Sequence, residues 1–308
     1  MTPADFHHRY TRDHPAIMPD RLRGSGKLVG MEFSVDGVKI AYHMAGSGPV
    51  CLVHPGGPGI HYEYLRMPEL EKHLTLVYVE PVGTGNSALL PDGDYSVEKY
   101  AYFADQLIQH LGVDKAFFLG HSHGGFVALQ LALDHPEHLA GIIVYDGMAF
   151  NGPELHEEAS RLVDEYAVRR PGDPLAEQVL TAWNEDDGLP PDKARHLDNL
   201  GRLMPVYFKD YPATKDRLLE WEQSIDLTLD VNRQPALWDV RDRLGEISVP
   251  ALIMVGEADF ICGEKWARQL HDGIPGSELV VFPDSGHFAH VEETSAFGDA
   301  VTSFVAKH

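Results

Sequence analysis

The sequence predicts an α/β fold: a mostly parallel central sheet flanked by helices, with a helical segment inserted into it. Short apolar runs alternate with amphipathic stretches between residues 50 and 145, the rhythm of a sheet wrapped by helices. That rhythm stops after Gly147 and returns after residue 235. At the front, Asp36-Gly37 separates two alternating runs, a strong hairpin signal.

Residues 1–26 are polar and rich in His, Pro and Arg, and they read as an arm. The hairpin runs follow at 28–35 and 38–44. Residues 50–53 form a short buried strand that ends in a Gly/Pro-rich turn. Residues 61–73 have a helical pattern restricted by Pro68. A strand at 74–79 precedes an amphipathic helix at 97–111, with Val97, Tyr100, Ala101, Ala104, Leu107, Ile108 and Leu111 on one side. Next come a strand at 116–119, a helix at 124–133 and a strand at 139–145. From 151 to about 235 the chain carries many charges, prolines and aromatics in helical patterns without strands. A strand at 251–255, a helix at 265–270, a strand at 278–282 and a helix at 296–305 close the chain. The expected organisation is an arm at 1–26, one core from 27–146 and 236–308, and a helical cap inserted at 147–235.

The 308 residues include 44% hydrophobic and 23% charged side chains, which excludes bulk disorder. The net charge of −22 argues against nucleic acid and against anionic membranes, because both require clustered Lys and Arg. It does not select a substrate. Cys51 and Cys262 cannot make a disulfide framework and read as small buried thiols. The polar N-terminus lacks the apolar stretch of a secretory signal. No apolar run approaches the roughly 18 residues of a membrane helix. A cytoplasmic protein with a small-molecule substrate is expected, and oligomeric state stays open.

The chemistry centres on Gly120-His121-Ser122-His123-Gly124, which follows an apolar strand and opens a helix. A serine on so sharp a turn projects its hydroxyl away from the sheet, and the glycines allow strand and helix to approach closely. A serine hydroxyl needs a base to be nucleophilic at neutral pH. His287 stands after the last strand, in Pro283-Asp284-Ser285-Gly286-His287. Asp259 stands after the preceding strand, in Gly256-Glu257-Ala258-Asp259, and is the expected orienting acid. The order Ser, Asp, His is one that this architecture uses. Asp146, at the end of the strand after the serine helix, is the competing acid. The oxyanion donors expected are the N–H groups of His123 and of Gly57, in His54-Pro55-Gly56-Gly57-Pro58-Gly59. Pro55 and Pro58 have no N–H to offer.

With Gly83-Thr84-Gly85-Asn86-Ser87, these motifs resemble the α/β-hydrolase superfamily and, within it, the proline iminopeptidase-like branch. The likeness runs from about residue 28 to the C-terminus, interrupted by the cap. It implies an α/β-hydrolase fold and hydrolysis through Ser122, His287 and Asp259, without metal or organic cofactor. The chain departs from the branch pattern in three places. Pro55 stands between His54 and the glycines, Glu80-Pro81-Val82 precedes the Gly-x-Gly turn, and histidines flank Ser122. These departures weigh against proline-peptide specificity. Trp221-Glu222 resembles the aromatic–acid pair with which that branch recognises a free amine. Cap aromatics, Trp183, Tyr207 and Trp221 among them, are expected to line an apolar pocket, and with His54 and Glu222 they are the candidate substrate contacts.

His121 and His123 are not expected to bind metal, since residues flanking an elbow point away from each other. The expected function is cleavage of an ester, lactone or amide through an acyl-enzyme, with ester or lactone preferred. Release of N-terminal proline is the alternative within that class. A lyase, a cofactor-free oxygenase or a ligand-binding protein on the same fold are the alternatives outside it.

Overall fold

A computed structural model describes residues 28–185, 192–234 and 236–308. The N-terminal arm expected at 1–26 lies outside the described residues. The hairpin pairs β1 (Val29–Val35) with β2 (Val38–Gly46) in antiparallel register. Its turn places both Asp36 and Gly37 at positive φ, as a two-residue hairpin requires. The sheet continues with β3 (Val50–His54), β4 (Thr75–Glu80), β5 (Ala116–His121), β6 (Leu139–Tyr145), β7 (Ala251–Gly256) and β8 (Glu278–Phe282). The order across the sheet is β1-β2-β4-β3-β5-β6-β7-β8, and every pair from β4 to β8 is parallel.

Both faces of the central strands are buried, so they read as continuous apolar runs rather than alternating ones. In β6, Ile142 and Val144 enter one core, while Ile143 and Tyr145 enter the other. The first core is covered by α1 (Val97–Leu111), α2 (His123–Asp134) and α7 (Glu264–Gly273). The second is covered by α8 (Ala289–Glu292), α9 (Thr294–Lys307) and residues 62–74. The expected helix at 61–73 is instead two 3₁₀ turns, Glu63–Leu65 and Leu70–Lys72. Pro68 disfavours helical backbone at Met67, whose N–H bonds the Tyr78 hydroxyl at 3.0 Å.

Between β6 and β7 stand α3 (Pro153–Val168), α4 (Pro174–Trp183), α5 (Lys193–Tyr207) and α6 (Tyr211–Glu222). Asp173, Asp192 and Asp210 cap the last three through their carboxylates, satisfying helix N–H groups that have no intrahelical partner. Ala159, Val163, Tyr166, Val179 and Val206 give these helices a small core of their own.

Topology fixes where chemistry can occur. The chain leaves β3 toward β4 on one side and returns to β5 on the other, so the carboxyl ends of β3 and β5 adjoin, with His54 paired to Gly120. Such a switch point opens a crevice beyond the strand ends.

Candidate active site

Ser122 follows β5 at φ 54° and ψ −117°. A non-glycine residue at positive φ costs about 1–3 kcal/mol and persists only where its surroundings enforce it. Here they do. A Cβ on Gly120 would lie 1.9 Å from the Gly124 carbonyl oxygen, and one on Gly124 would lie 2.3 Å from that of His54. The two glycines let α2 start against the strand ends, with Ser122 at the apex.

Asp259 follows β7 and His287 follows β8, and the two side chains meet across the strand ends. His287 Nδ1 lies 2.8 Å from Asp259 Oδ2, with both side chains buried. The other Asp259 oxygen accepts the N–H groups of Ile261 at 2.8 Å and Cys262 at 3.2 Å. These bonds fix the carboxylate orientation and hold Nδ1 as the donor. Ser122 and His287 line one cavity of about 380 Å³.

Asp146, the competing acid, is also buried next to this pair. Its Oδ1 accepts the Gly256 N–H at 3.0 Å, while its Oδ2 meets no donor among the described residues. Burial, and then the Asp259 charge, push its carboxyl well above the usual range. Of the two buried acids, Asp146 is therefore the one disposed to hold a proton.

The turn after β3 is held from below by a relay of hydrogen bonds. The Gly56 N–H donates to the Tyr64 hydroxyl at 2.8 Å. That hydroxyl lies 2.7 Å from His121 Nδ1, and His121 Nε2 lies 2.9 Å from the His287 carbonyl oxygen. The carbonyl requires Nε2–H on His121, so Nδ1 accepts the tyrosine proton. Burial lowers the His121 pKa, which keeps the ring neutral as the relay demands. With Gly56 committed, Gly57 carries the other N–H of the Gly-Gly pair. The His123 N–H opens α2, where helix amides have no intrahelical acceptor.

Tyr64→Phe is expected to strand the Gly56 N–H and His121 Nδ1. The cost is about 1–3 kcal/mol of stability, with turnover falling tenfold or more as the turn loosens. Urea unfolding and steady-state kinetics on the variant check this. Unchanged turnover would mean that the turn is held by other contacts.

Of the candidate substrate contacts, only Tyr207 lines the cavity, with its ring 5.4 Å from that of His287. The other four lie elsewhere. His54 turns its Nδ1 to the Pro55 carbonyl at 3.0 Å and packs on Tyr100 and Phe118. Burial lowers its pKa to about 4. The Trp221 indole donates to the Tyr64 carbonyl at 2.8 Å and packs on Phe288. Glu222 lies beside Tyr211, whose phenol is pushed up to about 12 by burial and then by that carboxylate, and Glu222 Oε1 is buried without a hydrogen-bond partner among the described residues. Trp183 sits within the helical insertion, donating to Ser160 Oγ at 2.9 Å and stacking on His156.

The cavity wall comes from residues that the motifs do not reveal: Leu155, His196, Leu200, Met204 and Leu227 from the insertion, and Ile261 beyond it. Cys262 is a further one. It lines the same cavity as Ser122, and burial raises its pKa so that it stays a thiol. Its position three residues after Asp259 was the available signal. Asp259, Cys262 and His287 place donor atoms within 4.8 Å of one another, as do His121, Asp146 and His287. A metal on either set would have to displace bonds that orient His287. His121 and His123 turn apart: the first joins Tyr64 and His287, the second packs on Tyr100 and Phe126.

The insertion also meets the His287 loop backbone to backbone. The His287 N–H donates to the Tyr207 carbonyl at 2.8 Å, and Gly286 abuts that backbone so closely that a Cβ would lie 2.2 Å from it.

Residues 49–294 match the family model described as "alpha/beta hydrolase fold". A proline iminopeptidase of Thermoplasma volcanium is 27% identical over 265 residues, covering 82% of this chain and 87% of that protein. An alpha/beta fold family hydrolase from Bacillus anthracis superposes with a TM-score of 0.71 at 23% identity, covering 90% of this chain and 99% of the other. The enol-lactonase from Burkholderia xenovorans LB400 gives a TM-score of 0.68 at 20% identity, covering 90% and 100%.

Proposed function

The chain belongs to the alpha/beta hydrolase fold family, and from this we propose that it is a serine hydrolase acting on a carboxylic ester or lactone with an apolar acyl part. Ser122 Oγ attacks the carbonyl carbon while His287 Nε2 takes its proton, with Nδ1 held by Asp259. The N–H groups of Gly57 and His123 receive the oxyanion. His287 returns the proton to the leaving alkoxide, and water then releases the acyl group by the same route. Helices α3–α6 act as a cap, of which α3 and α5 wall the acyl site.

The carrying observation is the cavity wall. Leu155, Leu200, Met204, Leu227 and Ile261 make it apolar, and no carboxylate lines it among the described residues. Recognition of a free amine in so dry a site needs a paired acid. Glu222, the residue expected for that task, is not part of the cavity lining. The proline iminopeptidase among the relatives supports the same acyl chemistry on an amide.

A panel of aryl esters, lactones and a fluorogenic proline amide separates the two. Esters or lactones are expected to exceed the amide in kcat/KM by at least tenfold. A better proline amide, lost selectively in Glu222→Gln, would overturn the ester reading. Failure of a fluorophosphonate to label Ser122 would favour a lyase or oxygenase mechanism.

A further inference from the structure

We propose that Asp105, His135 and His138 form a binding site for a divalent ion of the zinc class, on the face of the molecule formed by α1 and the end of α2. Asp105 is on α1, and its carboxylate is 1% exposed. His135 ends α2, and His138 closes the 3₁₀ turn Pro136–His138. The spacing His135-Pro136-Glu137-His138 brings both imidazoles to the same carboxylate. His138 Nδ1 lies 2.6 Å from Asp105 Oδ1, and His135 Nδ1 lies 4.0 Å from Oδ2. All three donor atoms fall within 4.8 Å of one another.

Two imidazoles and a carboxylate suit zinc and its neighbours better than calcium or magnesium, which take mainly oxygen ligands. Zinc–ligand bonds of about 2.0–2.1 Å place tetrahedral donors about 3.3 Å apart. The separation of 2.6 Å must open and that of 4.0 Å must close, each by less than about 1 Å. Rotation of the two histidines achieves this, since their side chains are 29% and 32% exposed. Glu137 Oε1 lies 3.8 Å from His135 Nδ1 but is not among the donors that fall within 4.8 Å of one another, so solvent is left to complete the coordination.

The carboxylate is oriented independently of the histidines. Gln109 Nε2 donates to Asp105 Oδ2 at 2.6 Å and Gln106 Nε2 at 3.2 Å. Such donors behind a ligating carboxylate are characteristic of built metal sites. The group is distinct from the Ser122 cavity, none of whose lining it shares. A bound ion would tie α1 to the end of α2, and so act on stability rather than on turnover.

The test uses the full chain, freed of metal with a chelator and titrated with Zn²⁺ at pH 7.5 by calorimetry. Co²⁺ serves as the spectroscopic probe. The expected results are one equivalent bound at this site, d–d absorption of a tetrahedral nitrogen–oxygen site, and a Tm raised by a few degrees. His135→Ala should weaken that equivalent at least tenfold while leaving ester turnover in metal-free buffer unchanged. His135 is the cleaner variant, because His138→Ala also removes a 2.6 Å contact to a buried carboxylate. His138→Gln is the second arm, with the same expected loss. Absence of binding, or binding undiminished in both variants, would overturn the proposal. Zinc that inhibits turnover equally in both would be assigned to Asp259, Cys262 and His287.

Discussion

Ser122→Ala is expected to lower kcat/KM for the best ester by on the order of 10⁴-fold or more with the fold intact. The substitution removes one oxygen. It leaves the strained backbone at φ 54° in place, because Gly120 and Gly124 set that turn rather than the side chain. The oxyanion donors and the apolar wall also remain, so the residual rate measures what they contribute without a nucleophile. Circular dichroism and thermal unfolding should match the parent protein. A folded variant with near-parent turnover would remove Ser122 from the mechanism.

The second large effect separates two buried acids. Asp259→Asn is expected to reduce kcat by about 10³–10⁴-fold, whereas Asp146→Asn should change it by only a few-fold. The reason lies in the amides around each group. Ile261 and Cys262 both donate to Asp259 Oδ1. An asparagine there must keep its oxygen toward them and so turn its NH₂ toward His287. His287 would then carry its proton on Nε2 and could not accept one from Ser122. At Asp146 the same replacement is close to isosteric in charge. The Asn oxygen accepts from Gly256 as Asp146 Oδ1 does, and its NH₂ donates toward Asp259 as a protonated acid would. Kinetics on the two variants decide the matter, and an inverted pattern would make Asp146 the working acid.

Much of this was legible in the sequence, for identifiable reasons. The strands of the parallel sheet are buried on both faces, so they stand out as apolar runs. Ser122, Asp259 and His287 each follow one of those runs, and the topology gathers strand ends. The segment around Pro68 was less legible. Its apolar spacing suits a helix, yet the backbone before proline does not, and 3₁₀ turns with a Tyr78 contact resolve the conflict.

The cavity wall was legible least. Trp183, Trp221 and Glu222 attract attention as residue types, but an amphipathic stripe does not reveal which neighbour it faces. Trp183 serves the insertion's own core, and Trp221 holds the Tyr64 carbonyl. Plain residues such as Leu155, Leu200 and Met204 face Ser122 instead. Cys262 is the small buried thiol that its apolar run suggests, but its place on the cavity is not legible there, because such a thiol usually only fills space.

The hydrogen bond from His287 to the Tyr207 carbonyl has an implication for engineering by exchange of parts. A donor segment spliced in place of residues 147–235 would be chosen for its specificity. It would also have to deliver a main-chain acceptor at this single spot, flat enough to lie against Gly286. Transplants that satisfy every side-chain requirement but miss that acceptor would inherit a displaced base. They would bind well and react slowly.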